Sequence, residues 1–279
     1  MQASDIMSGP VYIVSPAENV AHARHLMLKH KISRLLVIDN GKLAGIITKK
    51  DIGYRLRQSE PMWRRRPIDH IPVSQFMTVD PICLSPETGV REIATLMVNC
   101  TISGFPVLEN GEVIGVVTKS DMMRSTLIGQ VEGGVSDIME DAVTVSRYHS
   151  LAHVIDMMSE RDDKVVVVND NGTLAGIITE SNLAFYSFEN DKAGLTENSI
   201  TMLRKEQAGG RKSFRHVLDI SAIAEDLMTR PVITCLPETP IREAVRIMRD
   251  HRINSIVVAD AGGIRGIVKR DDIIKDVAS

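Results

Sequence analysis

The stretch Gly45-Ile46-Ile47-Thr48-Lys49-Lys50-Asp51 occurs four times, in closely related forms, in a chain of 279 residues. The other copies lie at residues 115–121, 176–182 and 266–272. Each copy has a glycine, two β-branched residues and, at its end, Asp or Asn. Branched aliphatic residues favour a strand, and Thr followed by Asp at i+3 is typical of the start of a helix. The stretch therefore predicts a strand that runs directly into a helix, four times in one chain.

Two further features recur in the same order ahead of this stretch. Each copy opens with a short segment that ends in Met, and another Met recurs in its middle. The opening segments are Asp5-Ile6-Met7, Gln75-Phe76-Met77, Asp137-Ile138-Met139 and Asp226-Leu227-Met228. The middle residues are Met27, Met97, Met158 and Met248. Four copies that match at the start, the middle and the end identify an internal repeat.

Between these landmarks, each repeat has the same predicted elements. A short extended segment leads into Ser15-Pro16-Ala17-Glu18, which predicts a capping box with Pro at the first helical position. Apolar residues then recur at i, i+3, i+4 and i+7, the spacing of an amphipathic helix. Asn40-Gly41, Asn110-Gly111 and Asn171-Gly172 separate pairs of apolar runs and predict hairpins. Each repeat is therefore predicted to be an α/β (α+β) unit with the element order β-α-β-β-α.

The repeats divide the chain into four units and two basic arms. The predicted boundaries are 1–56, 73–127, 135–187 and 224–279 for the repeats, and 57–72 and 188–223 for the arms. A unit of this size leaves one face of its sheet uncovered, so it is expected to pair with a neighbour. We expect repeat one to pair with repeat two, and repeat three with repeat four.

Composition and charge narrow the classes of function. Apolar residues make up 43% of the chain, and the net charge of −3 gives no global reason to expect nucleic-acid binding. Cys83, Cys100 and Cys235 favour buried thiols in a reducing compartment over disulfides or a zinc site. The sequence has neither a signal-peptide pattern nor a long apolar stretch, so we expect a cytoplasmic protein that does not enter the membrane. It also lacks recognisable catalytic and metal-binding motifs, so we expect neither an enzyme nor a metal site.

The repeat resembles the CBS domain, and a pair of repeats resembles a Bateman module. The resemblance rests on the opening Asp-Ile-Met, the Ser-Pro before the helix and the closing Gly-h-h-Thr-x-x-Asp, where h is an apolar residue. It implies two Bateman modules in a disc-like assembly, similar to the regulatory subunit of AMP-activated protein kinase and to stand-alone archaeal four-CBS proteins. It also implies that AMP, ADP, ATP or S-adenosylmethionine binds in clefts between paired repeats and that the protein regulates a partner protein. No cofactor is required, and the resemblance leaves open whether one chain or a homodimer forms the disc.

The closing Thr-x-x-Asp has a purely structural interpretation and a functional one. Alone, it is a helix cap with negative charge at the positive end of the helix dipole. In the family that the repeat resembles, the Asp accepts hydrogen bonds from both ribose hydroxyls and the Thr lies near the phosphates. Thr48 with Asp51 and Thr118 with Asp121 match this pattern. Repeat three departs from it at Asn182, and repeat four keeps Asp272 but has Lys269 in place of Thr.

The strongest candidate site is the one around Thr118 and Asp121. The resemblance places the phosphate ligands on the partner repeat, at the entrance of its second strand and just before its Asp. Ser33, Arg34 and Lys50 occupy those positions in repeat one. A guanidinium and an ammonium group together suit a phosphate chain. For the adenine pocket of this site we expect Val79, Ile82 and Phe105.

The remaining clefts are expected to differ in their affinity for a nucleotide. For the cleft of Asp51, repeat two offers Ser103 and Gly104 together with Lys119 and Ser120, a set that is poor in positive charge. Lys164 in repeat three aligns with the Arg34 position or lies one residue before it, and it is expected to serve a nucleotide on Asp272. The cleft of Asn182 is expected to be the weakest, because an amide has one acceptor oxygen where a carboxylate has two.

The two arms leave an alternative function open. Arg64-Arg65-Arg66 follows the single tryptophan, Trp63, and basic residues recur from Arg204 to Arg215. Such charge runs usually form a solvated face, here a strap over the disc. The alternatives are a contact with nucleic acid, with an acidic protein partner or with a second copy of the chain.

Overall fold

A computed structural model of the chain describes residues 1–55, 71–126, 128–185 and 222–278. Both basic arms fall almost entirely outside these residues. The predictions for Trp63, for Arg64-Arg65-Arg66 and for Arg204 to Arg215 therefore lie outside the described residues.

The first pair of repeats contains the elements that the sequence pattern predicts. Those of repeat one are α1 (Ala3–Ile6), β1 (Ile13–Val14), α2 (Val20–His30), β2 (Arg34–Asp39), β3 (Lys42–Thr48) and α3 (Lys49–Arg55). Those of repeat two are a 3-10 turn (Val73–Gln75), β4 (Thr78–Val79), α4 (Val90–Asn99), β5 (Gly104–Glu109), β6 (Glu112–Thr118) and α5 (Lys119–Met122).

The second pair repeats the same order. Repeat three contains a 3-10 turn (Val135–Asp137), β7 (Thr144–Ser146), α6 (Leu151–Glu160), β8 (Lys164–Val168), β9 (Leu174–Thr179) and α7 (180–185). Repeat four contains α8 (Ala224–Leu227), β10 (Thr234–Cys235), α9 (Ile241–Asp250), β11 (Ser255–Asp260), β12 (Gly263–Lys269) and α10 (Arg270–Ala278). A 3-10 turn (Ile128–Gln130) lies between the two pairs.

The four hairpins have the same register, which confirms the mixed α/β repeat. In each repeat an opening strand or bridge runs parallel to the first strand of an antiparallel hairpin. The first residue of the hairpin pairs with the last residue before the closing helix: Arg34 with Thr48, Gly104 with Thr118, Lys164 with Thr179 and Ser255 with Lys269. Each hairpin also has an irregularity at the equivalent position, which bends the strand locally.

Local predictions succeed at two of the three Asn-Gly turns. Asn40, Gly41, Asn110 and Gly111 all have positive φ, as a two-residue hairpin turn requires. At Asn171-Gly172 only the glycine has positive φ, because the connection from Val168 to Leu174 is longer and closes through Asn169 and Thr173.

The predicted start of the first helix is wrong by one turn. The Ser15 N–H does donate to Glu18 Oε1, at 3.0 Å, but these residues form a turn and not a helix. Helix α2 starts at Val20, where the Asn19 side chain accepts from the His22 N–H at 2.7 Å. Asn19 also bridges to Pro72, which directly precedes repeat two. This tertiary contact holds Asn19 in an extended conformation and delays the helix.

The opening segment of each repeat crosses to the sheet of its partner. Ser8 pairs with Val116, Thr78 with Ile46, Glu140 with Ile267 and Thr229 with Ile177. These contacts join repeat one to repeat two and repeat three to repeat four. The pairing expected from the sequence is therefore the pairing in the structure.

The recurring glycine of the closing stretch makes room for this crossing. A Cβ atom at Gly45 would lie 2.6 Å from the Thr78 carbonyl oxygen, and one at Gly266 would lie 2.5 Å from the Glu140 carbonyl oxygen. At Gly115 the nearest neighbour is the thioether of Met7, again from the partner's opening segment. The glycine and the opening Met recur together because, in each pair, the opening Met of one repeat packs over the glycine of the other.

The two pairs meet through the closing helices, with repeat one against repeat three and repeat two against repeat four. Repeats two and four share one hydrophobic core, in which α4 and α10 are in contact. Across the other half, the Tyr54 hydroxyl donates to the Met158 carbonyl at 3.1 Å, and Phe185 lies in the core of repeat one.

One expectation drawn from the composition is wrong in part. Cys83 and Cys100 are exposed and only Cys235 is buried, so the prediction of three buried thiols is wrong for two of them. Among the described residues, no group of three or more His, Cys, Asp or Glu side chains is placed to hold a metal ion. Within the same residues, none of the helices combines the length and the apolar character that a membrane span requires.

We predict that Gly45→Ala destabilises the protein. In an open strand, alanine would be favoured over glycine, because it restricts the unfolded chain. Here the new methyl group meets the Thr78 carbonyl, so we expect a loss of about 1–3 kcal/mol in the free energy of unfolding. Urea unfolding would measure it.

Gly129→Ala is the matched control, because a Cβ atom at Gly129 has no heavy atom within 4 Å. We expect it to leave stability unchanged or slightly raised. Equal stability of the Gly45 and Gly129 variants would show that the crossing segment moves freely away from the sheet.

Candidate functional site

A cavity of about 1290 Å³ lies where the four repeats meet. Its wall combines the C-terminal parts of α2, α4, α6 and α9 with the N-terminal residues of α3, α5, α7 and α10. Of the residues at the Thr-x-x-Asp positions, Thr118, Asp121 and Lys269 line the cavity, and both pairs of repeats contribute to its wall.

The charge of the cavity is opposite to that of the whole chain. Thirteen lysine and arginine residues line it, against seven aspartate and glutamate residues. The whole chain, in contrast, carries a net charge of −3. An excess of cations in a concave site attracts an anionic ligand and raises its local concentration.

Asp121 contributes a buried carboxylate to this cavity. The residue is 2% exposed and forms the predicted helix cap, because its Oδ2 accepts from the Thr118 backbone N–H at 2.7 Å and from the Thr118 hydroxyl at 2.6 Å. Its second oxygen, Oδ1, accepts from the Ser8 hydroxyl at 2.6 Å and from the Arg124 guanidinium. Ser8 and Arg124 are both exposed, so the partners of Oδ1 can be exchanged for those of a ligand.

Ser8 was not among the site residues predicted from the sequence. It follows the opening Met, and its counterparts are Thr78, Glu140 and Thr229. Thr229 accepts from the Asn182 amide at 2.9 Å, and Glu140 binds the lysine at the Thr position of repeat four. A polar residue after the opening Met in all four repeats was the signal for this position.

Arg34 lines the same cavity as Asp121. Its guanidinium donates to the Ser103 carbonyl at 2.6 Å and to the Ser103 hydroxyl at 3.0 Å, and it lies where a side chain at position 104 would project. Because Gly104 has no side chain, the Arg34 guanidinium can reach across to repeat two. Burial lowers the pKa of Arg34 to about 10, while the carboxylates of Asp121 and Glu180 act in the opposite direction.

The other predicted phosphate ligands, Ser33, Lys50, Lys119 and Ser120, all line the cavity, and two of them also form contacts between the pairs. Ser33 and Lys50 line the cavity and are exposed. Lys119 forms an ion pair with Asp271 of repeat four, and the Ser120 hydroxyl accepts from Arg270 at 2.7 Å. Lys119 and Ser120 therefore connect the two pairs instead of facing Asp51.

The predicted adenine pocket of the Asp121 site is misplaced. Phe105 is fully buried in the core, and Val79 and Ile82 are 58% and 45% exposed, away from the cavity. The reason is the crossing of the opening segments, which brings residues of repeat one to the cleft of repeat two. The counterparts of Val79 and Ile82 in repeat one are Gly9 and Tyr12. Both line the cavity with Asp121.

The clefts of repeats one and three show the same cap with different surroundings. Asp51 Oδ2 accepts from the Thr48 N–H and hydroxyl at 2.7 and 2.6 Å, but neither residue lines the central cavity. Asn182 Oδ1 accepts from both groups of Thr179 at 2.9 Å. The Asn182 amide also donates to the Leu227 carbonyl and the Thr229 hydroxyl, each at 2.9 Å. The Asn182 side chain thus already bonds through both of its polar atoms.

The cleft of Asp272 is filled by charged side chains. Lys269 Nζ lies 2.6 Å from Glu140 Oε2 and 2.9 Å from Asp162 Oδ2, and Lys275 binds Glu140 Oε1 at 2.6 Å. Lys164, expected to serve this cleft, is buried and pairs with Asp163 at 2.5 Å. Lys164, Lys269 and Glu140 line the central cavity, but Asp272 does not, and the pocket beside Asp272 measures about 230 Å³. The prediction of a nucleotide held by Asp272 and Lys164 does not agree with this arrangement.

The ion pairs change the acidity of the two carboxylates in this cleft. Hydrogen bonds from Lys269 and Lys275 lower the pKa of Glu140 to about 2. Burial raises the pKa of Asp272 to about 6, and the neighbouring Glu140 carboxylate adds to the rise.

The CBS domain family matches the chain four times, over residues 3–56, 73–127, 135–189 and 224–279. The chain belongs to the CBS domain family. This agrees with the crossing segments and the four equivalent hairpins described above.

Individual relatives differ in how much of their length is matched. The inosine-5'-monophosphate dehydrogenase of Korarchaeum cryptofilum is 36% identical over 43% of this chain, which is 23% of the dehydrogenase. The uncharacterized protein MJ1404 of Methanocaldococcus jannaschii is 23% identical over 98% of this chain and 61% of its own length. The chain therefore spans less than two thirds of each of these relatives.

A third relative matches from end to end. The protein MJ1225 of Methanocaldococcus jannaschii is 24% identical over 95% of this chain and 94% of its own length. Its crystal structure, that of a proposed archaeal homologue of γ-AMPK, superposes with a TM-score of 0.81 over 99% of both chains, at 21% identity. This likeness shows that the arrangement of four CBS repeats is shared.

The raised pKa of Asp272 predicts a pH-dependent effect of Asp272→Asn. Between the unfolded pKa near 3.8 and the folded pKa of about 6, the folded protein binds more protons, so stability falls as the pH rises through this range. Asparagine keeps the cap without the charge. We expect the variant to be more stable than the wild type at pH 8, by up to about 3 kcal/mol, and to lose this advantage near pH 4.

Chemical unfolding of the wild type and the variant at several pH values would measure this effect. Asp170→Asn, in an exposed turn, is the control and should show the same difference at each pH. A pH-independent gain for Asp272→Asn would argue against a raised pKa as the cause.

Proposed function

We propose that this chain is a regulatory protein that binds an adenine nucleotide in the cleft of Asp121. The observation that carries the proposal is a buried carboxylate with an exchangeable oxygen in a cavity where cations outnumber anions. Ribose needs the first feature and a phosphate chain needs the second.

Ribose binding uses the oxygen of Asp121 that does not cap the helix. A vicinal diol presents two donors, and charged acceptors form the stronger hydrogen bonds in proteins. Ser8 and Arg124 hold Oδ1 while the cleft is free, and the diol takes over from the exposed Arg124 side chain. Oδ2 keeps its bonds to Thr118, so ligand binding leaves the helix start intact.

The phosphates extend from the ribose towards Arg34 and Lys50. Arg34 is already oriented by Ser103, which lowers the entropy cost of engaging a phosphate oxygen. Lys50 and the released Arg124 add positive charge, and a longer phosphate chain can pair with more of it. The same excess of cations disfavours S-adenosylmethionine, whose sulfonium centre is positive. We therefore rank AMP, ADP and ATP ahead of it.

The adenine is held by the opening segment of repeat one. Gly9 brings the backbone of this segment to the cavity without a side chain, and Val11 and Tyr12 follow it on the wall. Main-chain N–H and C=O groups between apolar side chains discriminate a purine by its ring edge.

Regulation follows from the position of the cavity between both pairs of repeats. A ligand that contacts both sides changes their relative stability by its difference in affinity for the alternative arrangements, and by no more than that. We propose that a partner protein reads this change and that the chain itself catalyses no reaction.

We predict that Asp121→Asn weakens AMP binding. Asn182 shows that asparagine retains the cap at this position of the repeat, so the fold is preserved while one charged acceptor is lost. The loss of one or two hydrogen bonds to a charged group corresponds to about 10- to 100-fold in Kd. Isothermal titration with AMP, ADP, ATP and S-adenosylmethionine measures it.

Asp51→Asn makes the same substitution in the other intact Thr-x-x-Asp and is the matched control. We expect it to leave the strongest AMP site unchanged. If Asp51→Asn removed that binding and Asp121→Asn did not, the wrong cleft has been chosen. No heat with any of the four ligands would contradict the proposal as a whole.

Arg34→Gln separates phosphate recognition from ribose recognition. We expect it to weaken ATP by about 10-fold and to leave adenosine unchanged, because adenosine has no phosphate for Arg34 to bind. Arg91→Gln, which changes an exposed arginine on α4, is the control. An equal loss for ATP and adenosine would mean that Arg34 supports the cleft structurally instead.

A further inference from the structure

Three residues of the second pair depart from the repeat pattern, and they meet at the ammonium group of one of them, Lys269. Lys269 stands where the other repeats have Thr48, Thr118 and Thr179, and Glu140 stands where they have Ser8, Thr78 and Thr229. Counted back from the paired strands, Asp162 occupies the position of Ile32, Ile102 and Ile253. The Lys269 ammonium binds both carboxylates, at 2.6 Å and 2.9 Å.

These residues come from both repeats of the second pair. Glu140 belongs to the crossing segment of repeat three, Asp162 precedes its strand β8, and Lys269 ends β12 of repeat four. The side chains of Lys269 and Asp162 are 11% and 7% exposed. Removing one partner of the buried Lys269–Asp162 pair leaves an uncompensated charge, and Glu140, whose side chain is 41% exposed, completes the network from its outer side. The three substitutions therefore depend on one another.

The network occupies the place that a ribose and its first phosphate take in the Asp121 cleft. Glu140 corresponds to Ser8, which touches Asp121, and Lys275 corresponds to Arg124. The network lies between Asp272 and the central cavity: Lys269, Glu140 and Asp162 line that cavity, whereas Asp272 does not. The separate pocket beside Asp272 measures about 230 Å³, less than the roughly 300 Å³ at which ligand pockets begin.

We propose that the Lys269–Glu140–Asp162 network is a built-in substitute for a ligand, which closes the fourth cleft to nucleotides and holds repeats three and four together permanently. This inference rests on the proposed function for its comparison with the Asp121 cleft. In this interpretation the first pair of repeats responds to the nucleotide, and repeats three and four keep the same arrangement whether or not it is bound.

The test restores the residues of the other repeats in the full chain. The triple variant Glu140→Ser, Asp162→Ile, Lys269→Thr should open the cleft of Asp272, and AMP is the probe. In isothermal titration we expect one additional AMP per chain, lost again when Asp272→Asn is added. Carrying Asp51→Asn and Asp121→Asn together in the background weakens binding by both clefts of the first pair, so that the new site can be measured apart from them.

A folded triple variant that takes up no additional AMP overturns the inference, whatever the wild type binds at Asp121. So does a wild-type AMP site that Asp272→Asn abolishes. Because these readouts concern the fourth cleft alone, they are separate from the test of the proposed function.

Thermal unfolding without nucleotide gives a second test that does not need the triple variant to fold. Glu140→Ser and Lys269→Thr are each expected to lower Tm by about 4 °C or more. Their combination should lower it by clearly less than the two shifts added together. Additive shifts would show that the residues do not form a paired unit and would overturn the inference.

Discussion

The structure depends on one close contact, the crossing of each repeat's opening segment over the glycine of its partner's last strand. The backbone of that segment comes so near that a Cβ atom at Gly45 or Gly266 would collide with a carbonyl oxygen. The same approach carries the next polar side chain to the cap of the partner's closing helix, as Ser8 reaches Asp121. The same segment therefore both pairs the repeats and supplies part of the cleft wall.

This coupling explains why four similar repeats form four different clefts. The cap is present in all of them, because its hydrogen bonds lie within one stretch of seven residues. What faces the cap is supplied by the partner and is free to vary. Serine leaves the outer oxygen of Asp121 exchangeable, threonine accepts from the Asn182 amide, and glutamate recruits Lys269.

The elements of the fold could be predicted because their signals are local. Thr-x-x-Asp, Asn40-Gly41 and the helical spacing each act within a few residues. Because each signal recurs at the same position in other copies of the repeat, one copy supports the interpretation of the next. Errors arose where a distant residue decides the outcome. Asn19 delays a helix through its contact with Pro72, and the crossing segments move the wall of the Asp121 cleft from Val79 and Ile82 to Gly9 and Tyr12. A repeat pattern aligns positions, but it does not state which copy contributes each one to a shared site.

The contacts between the two pairs bear on how a bound anion could be sensed. Lys119 and Ser120 lie directly beside Asp121 in sequence, yet they bind Asp271 and Arg270 of repeat four. Asp121 thus caps α5, whose first two residues are held by the other pair. An anion beside Asp121 changes the electrostatic potential at these contacts, and that potential is little screened where side chains are buried. Under the proposed function, the first turn of α5 is therefore the point where the ligand meets the contact between the pairs.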